Sequence, residues 1–292
     1  MYRKIFILVL LFVTVSKISA QKFYIKPNFG YGIETFKSSF ISDSIVHMIY
    51  SDTTLTTNTY NLNKISLAKG WNCGLTFGYN INPYLNVELG CNYVFGRPKV
   101  IKSSERINFY DDPKHYAELT ETSTFKSKSL NIAASLLIGK SFNDFYPYIK
   151  IGGILSYVSM SDDYFSSIYT NLPGYYPFSN ISYKLKYKSS LAFGLLTSAG
   201  MDYKIGENFL LFIDIQNSIL YYSPKKATFL NYIDNGVNKI NNLNVNEKEI
   251  VFVDNYTESS DINEPSKRIK TSFSLCNVSF NLGIKFNLFV KK

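Results

Sequence analysis

Five ionisable side chains stand out by where they fall. Lys26, Glu88, Lys150, Asp214 and Lys285 each lie in a segment that alternates large apolar residues with small or polar ones, and each takes the polar parity. A period of two places each set on one face of a strand, so the five charges share the face opposite the apolar one. Each lies a few residues from one end of its segment, and a strand rises about 3.3 Å per residue, which sets them at a common level. If that face is enclosed, the charges must pair, because an isolated buried ion costs several kcal/mol. The reading is a salt-bridged plug. The other chemistry open to such a layer is a proton or ion path.

Catalytic sets are harder to assemble. The chain has two histidines, His47 and His115, both in polar stretches expected to be loops. Ser44 precedes His47 by one short step, and Asp111, Asp112 and Glu118 lie near His115. None makes a convincing nucleophile–base–carboxylate series, so solvated loop histidines are expected and no catalytic residue is assigned. Two histidines are too few for a His-based metal site, although loop carboxylates could hold a weak cation; no metal site and no cofactor are assigned. Gly139-Lys140-Ser141 resembles the end of a phosphate loop, but Ala134 stands where the first glycine is required. Gly30-Tyr31-Gly32 lacks the third glycine of a dinucleotide fingerprint.

The elements that must position the charges are eight alternating segments. The clearest is WNCGLTFGYNINPYLNVELGCNYVFG, residues 71–96, with a polar break at Asn82-Pro83 that suits a hairpin turn. Trp71, Cys73, Leu75, Phe77 and Tyr79 share one face of the first arm, and Leu85, Val87, Leu89, Cys91, Tyr93 and Phe95 one face of the second. The others run from Phe23 to Ile33, Leu130 to Ile138, Tyr146 to Val158, Leu191 to Tyr203, Phe209 to Gln216 and Val278 to Leu288. A parity slip between Leu275 and Val278 predicts a bulge. Each arm of the hairpin is roughly ten residues, enough to cross a bilayer as a tilted strand.

The breaks alternate in length. Polar stretches of about 37–68, 97–125, 159–188 and 223–270 are long, whereas those at Asn82-Pro83, KSFNDFYP and KIGEN are short. A transmembrane barrel sorts its connections in this way, with short periplasmic turns and long external loops. Tyr79, Tyr84, Tyr146, Tyr148, Tyr203 and Phe209 flank the short breaks, and Trp71, Phe95, Tyr157, Tyr221 and Tyr222 the long ones, where aromatic girdles belong. The fold expected is therefore all-β: an eight-stranded antiparallel up-and-down transmembrane β-barrel, its lumen just wide enough for side chains to fill.

Compartment and composition agree. Arg3 and Lys4 precede an apolar run from Ile5 to Val15 and a small residue at Ala20, the layout of an export leader over residues 1–20. That run is too short to span a bilayer as a helix. Residues 21–292 then form one domain. Beyond the leader 28 basic residues face 22 acidic ones with no long block of one sign, which does not support nucleic-acid binding. The chain is rich in aromatics, with 24 Tyr and 23 Phe against one Trp. Three cysteines do not make a disulfide framework. A turn centred on Asn82 would set Cys73 opposite Cys91, where a cross-strand disulfide is conceivable; both also suit a plain apolar face.

With the leader, the eight segments, the loop rhythm and the aromatic-rich FNLGIKFNLFV in place, the chain resembles the small eight-stranded outer-membrane barrels of the OmpA/OmpX-like type and the outer membrane beta-barrel proteins of Bacteroidetes-like bacteria. The resemblance implies a Gram-negative outer-membrane location with both termini periplasmic, outer-membrane lipid around the barrel, and insertion by the barrel-assembly machinery. In that family the last strand usually ends on an aromatic residue that acts as the assembly signal; here Phe289 is followed by Val290, Lys291 and Lys292. The resemblance brings no catalytic motif. The expected role is a non-enzymatic surface-binding or envelope-stabilising protein whose loops meet an unknown ligand. A narrow porin-like channel is the alternative, and a lipid A-modifying barrel enzyme the third reading.

Overall fold

The computed structural model describes residues 23–50, 53–109, 112–171, 178–188, 191–255 and 261–288, with the backbone alone at 39–50, 53–64, 107–109, 112–115 and 178. The expected leader and the residues after Leu288 lie outside the described residues. All eight alternating segments lie in strands. These are β1 (Phe23–Glu34), β2 (Gly70–Asn80), β3 (Leu85–Gly96), β4 (Asp112–Gly139), β5 (Phe145–Thr170), β6 (Leu191–Lys204), β7 (Phe209–Tyr222) and β8 (Asn277–Asn287). Each pairs antiparallel with the next, from Phe23 opposite Tyr79 to Phe209 opposite Phe286. β8 returns to β1, Tyr24 opposite Asn287, so the pairings form a cycle.

The connections expected to be long loops are largely β-structure, so eight strands do not describe the whole sheet, which contains 15. β4 and β5 run for 28 and 26 residues and stay paired up to Ala117 opposite Thr170. Strands Lys99–Phe109, Phe178–Tyr187, Lys226–Asp234, Glu249–Val253 and Ser266–Ile269 widen this outer part into a sheet. Among the described residues, strands Ser38–Tyr50 and Thr53–Ile65 form a separate two-stranded sheet. His47 and His115 thus lie on strand backbone rather than in loops, and their side chains are outside the described residues. These stretches read as loops because they lack apolar alternation. Their inward row is apolar only in part, with Ala117, Leu119 and Phe125 buried, and runs such as Thr120-Glu121-Thr122-Ser123-Thr124 are β-branched enough to pair.

Two local details depart from the sequence reading. The hairpin turn is centred one residue later than Asn82, because the Asn82 side chain accepts the amides of both Tyr84 (2.8 Å) and Leu85 (2.9 Å). Tyr79 therefore faces Val87, Cys73 faces Tyr93 and Leu75 faces Cys91. Cys73 and Cys91 are diagonal neighbours, both free and exposed. No bulge separates Leu275 from Val278, for the register holds from Tyr222 opposite Phe273 through Ser218 opposite Asn277. The parity slips because Leu275 is an inward apolar residue, buried in a cluster at the outer end of the cycle.

The cycle is inside-out by the standard of a soluble protein. Phe193 is 75% exposed, Leu195 63%, Leu282 61% and Ile149 61%, while Lys26, Glu88, Asp214 and Lys285 are buried. Each strand contributes outward apolar residues at every second position, and the inward rows are Asn, Ser, Thr and Gly with the charges among them.

Candidate functional site

The five charged residues read from the sequence meet inside the cycle, joined by a sixth, Asp202 on β6. Side by side they make one chain of alternating sign. Lys285 reaches Asp202 at 3.0 Å, Asp202 reaches Lys26 at 3.4 Å, and Lys26 reaches Glu88 at 3.5 Å. Glu88 then meets Lys150 at 3.3 Å, and Lys150 meets Asp214 at 3.6 Å. Asp214 ends the series by accepting the Asn281 amide at 2.8 Å. Three lysines balance three carboxylates, and the links tie β8, β6, β1, β3, β5 and β7 together.

Asp202 was missed although it shares the inward parity of Ser198 and Gly200. The signal that could have found it is electroneutrality: three lysines with only Glu88 and Asp214 leave one buried cation short of a partner.

Aromatic rings floor the network. Tyr24 donates its hydroxyl to Glu88 at 2.9 Å, and Lys285 lies 4.1 Å from the centre of its ring. Lys26 lies 4.7 Å from the Tyr148 ring and 4.4 Å from that of Phe212, close enough for cation–π attraction in a desolvated site. Inward glycines make the room: a methyl group at Gly78 would strike Tyr24, at Gly200 Tyr148, and at Gly283 Phe212. Tyr148, buried, and Tyr146, which accepts the Asn86 amide at 3.4 Å, therefore belong to the interior and not to an outer girdle. Tyr222, also expected on the girdle, is buried in the outer cluster. Outward aromatics at this end include Phe23, Tyr84, Phe142, Phe145, Tyr203 and Phe209, and at the other Trp71, Phe95, Tyr157 and Tyr221.

Above the charges the interior holds a polar chamber of about 50 Å³, lined by Asn72, Thr76, Asn92, Asn131, Gln216 and Asn281 among others. That is room for roughly three to five waters. A smaller space of about 20 Å³ follows. The outer mouth is then filled by an apolar cluster that includes Leu67, Phe125, Met160, Tyr187, Leu220, Tyr222, Phe273 and Leu275. Ser127 donates to the Leu67 carbonyl at 2.9 Å and Asn277 to the Ala68 carbonyl at 3.2 Å, holding the segment 66–68 across the mouth.

Beyond that cluster Asp162 is buried on the inner face of the outer sheet. Ser123 donates to one of its oxygens at 3.2 Å, and the other has no partner among the described residues. Burial pushes its carboxyl up to about 6, Asp163 adds to the rise, and the Ser123 hydroxyl and Thr124 amide oppose it. Among the described residues no three His, Cys, Asp or Glu side chains are grouped as a metal site. Glu118 is exposed on β4, opposite Arg106 and Tyr169.

Comparison with known proteins places the chain. No curated protein matches it. Among solved structures it is similar to the outer membrane protein OprG from Pseudomonas aeruginosa, with 13% identity and a TM-score of 0.37, covering 92% of this chain and 96% of that one. It is also similar to the outer membrane protease OmpT from Escherichia coli, with 9% identity and a TM-score of 0.26, covering 92% and 98%. Residues 5–247 match the outer membrane protein beta-barrel domain. The inside-out sheet with its buried charge chain thus belongs to a member of the outer membrane protein beta-barrel family.

Proposed function

We propose that the cycle β1–β8 is a closed eight-stranded transmembrane barrel with a non-conducting lumen, and that the protein is a non-enzymatic outer-membrane anchor presenting its outer sheet to a surface partner or stiffening the envelope. One observation carries this reading: the lumen is crossed by the ion-pair chain at one end and filled by the Leu67–Phe125–Leu275 cluster at the other, with only a small chamber between. A pore would have to part both. The charges then act as a structural plug that ties six strands at one level.

In the proposed orientation the turns at 81–84, 140–144 and 205–208, together with both ends of the cycle, face the periplasm, and the outer sheet faces outward. Lipid covers the apolar face, since lipid offers the backbone no hydrogen bonds and only a closed sheet satisfies its own. Insertion would fall to the barrel-assembly machinery.

Purified full-length protein in a planar bilayer tests the reading. The expected record is a flat baseline, and a steady open level of porin size would overturn the plug. The narrow-channel alternative predicts small steps that grow when Lys26 is replaced by Ala.

A further inference from the structure

The outward face of β4, β5 and the strand Phe178–Tyr187 changes character abruptly. Leu130, Tyr157 and Leu191 form the outer end of its continuous exposed apolar band, with Phe95 one position farther out beside Lys128 and, among the described residues, only the isolated Phe165 and Tyr169 of β5 beyond. From there outward the same face carries Lys128 and Lys126 on β4, then Lys184, Lys186 and Lys188 two strands away. Lys126 and Lys186 both flank Ser161, and Lys128 lies opposite Ser159, so two small hydroxyl side chains floor the space between the two lysine columns.

The patch has little counter-charge. Asp163 is shared by Lys126 and by Lys184 at 3.5 Å. Lys128, Lys186 and Lys188 are exposed and make no ion pair with any described residue. Lys226, whose carbonyl accepts the Lys188 amide at 2.7 Å, is paired with Glu249. The opposite side of the cycle differs: outward of Tyr221 on β7 comes Ser223, bonded to the Ser272 hydroxyl.

We infer that this face binds the phosphate groups of anionic lipid headgroups at the outer boundary of the bilayer. The inference rests on the barrel reading above, which makes the apolar row below the lysines a lipid contact. A lipid whose acyl chains lie on Leu130, Leu191 and the neighbouring apolar residues brings its headgroup to the level of Lys128. A lysine two residues farther out stands about 7 Å higher, within reach of a second phosphate on the same headgroup. Serine floors leave the ammonium groups free to converge, and a column spacing of two strands, about 9.5 Å, matches a headgroup rather than a single free ion. Continuity with the lipid-facing surface favours lipid over a soluble polyanion, which would have no use for the apolar row.

The test is native mass spectrometry of the full-length protein in detergent, presented with diphosphorylated lipid A and with its dephosphorylated form. Wild type is expected to retain the phosphorylated lipid preferentially. The triple variant Lys128→Gln/Lys186→Gln/Lys188→Gln should bind it more weakly by about fivefold per lysine removed, and added salt should erode the preference. Lys239→Gln, beside Asp234 and Tyr232 toward the outer end of the sheet, should leave it unchanged. Equal retention of the two lipids by wild type, or undiminished retention by the first triple variant, would overturn the inference. So would displacement of the lipid by inorganic phosphate at matched ionic strength, which would make the patch an adventitious anion site. A protein that stays soluble without detergent would instead overturn the barrel reading.

Discussion

β4 and β5 each pass through two regions whose faces are exchanged. Along β4, Ile138, Leu136, Ile132 and Leu130 point outward and exposed while Ser135 and Ser129 point inward. A few residues on, Phe125, Leu119 and Ala117 are buried inside and Lys128 and Lys126 are outside. β5 does the same: Lys150 and Ser156 inside with Ile149, Ile151 and Tyr157 outside, then Val158 and Met160 inside with Ser159, Ser161 and Asp163 outside. The alternation never loses step, yet its meaning reverses. In the proposed barrel the outer solvent changes there from hydrocarbon to water; the interior changes from a polar, ion-paired lumen to an ordinary apolar core. On the proposed reading, the level of that change is the outer boundary of the bilayer.

Three predictions set the two regions against each other. The largest effect is expected from Glu88→Ala, which leaves three buried lysines to share the two carboxylates of Asp202 and Asp214 and takes the acceptor from the Tyr24 hydroxyl. Removing one partner of a buried pair costs about 3–5 kcal/mol. The folded, fast-migrating form should therefore unfold at a clearly lower temperature in semi-native gels. Glu249→Ala, which breaks a half-exposed pair in the outer sheet, should cost under about 1 kcal/mol and leave that temperature in place. Equal shifts would mean the lumen charges are solvated.

Next in size is an outward arginine. Leu282→Arg puts a charge on the proposed lipid face and, if that face lies at mid-membrane depth, should destabilise by about 2–4 kcal/mol. Thr120→Arg, at the same outward parity of the outer sheet, should be tolerated. Matching refolding yields in lipid vesicles for the two variants would contradict the exchange of faces.

The smallest effect concerns pH and is confined to the outer region. With a folded pKa near 6 against an ordinary value of 3.8, Asp162 binds its proton more tightly when folded. Its stabilising contribution is complete below pH 3.8 and is lost as pH rises through 6, a change of at most about 3 kcal/mol. Hydrogen exchange around Val158–Thr170 should accordingly speed up between pH 4.5 and 7.5, beyond the intrinsic rate change. Asp162→Asn should remove that excess while the gel behaviour of the barrel stays constant. An excess that persists in the variant would assign it to another group.

How much of this was legible beforehand varies with the solvent each part meets. Where one face is exposed and apolar and the other lines a polar lumen, the two-residue period is written in the residue types, and the eight segments could be placed from Phe23 to Leu288. The outer strands carry no such contrast on their wetted faces. Even so, Asn235-Gly236, where both residues take positive φ of 47° and 82°, joins Asp234 to Val237 in a two-residue hairpin, and that dipeptide is a recognisable turn signal in a stretch read as loop. Tyr146, Tyr148 and Tyr222 were misassigned because aromatic type outweighed parity. Their numbers share the inward parity of Lys150 and Leu220.

Composition and alternation by themselves determine that this chain makes antiparallel strands with one apolar face, and which charged residues lie on the other. They do so because the period of a strand is local, set by the pleat of the backbone between one residue and the next. Which charges touch is a matter of register and closure. Asp202 meets Lys26 and Lys285 across strands far apart in the chain, and Leu275 turns from a register error into part of an apolar seal, only because β8 closes on β1. Such distances are decided by the ring as a whole, so only the tertiary structure could supply them.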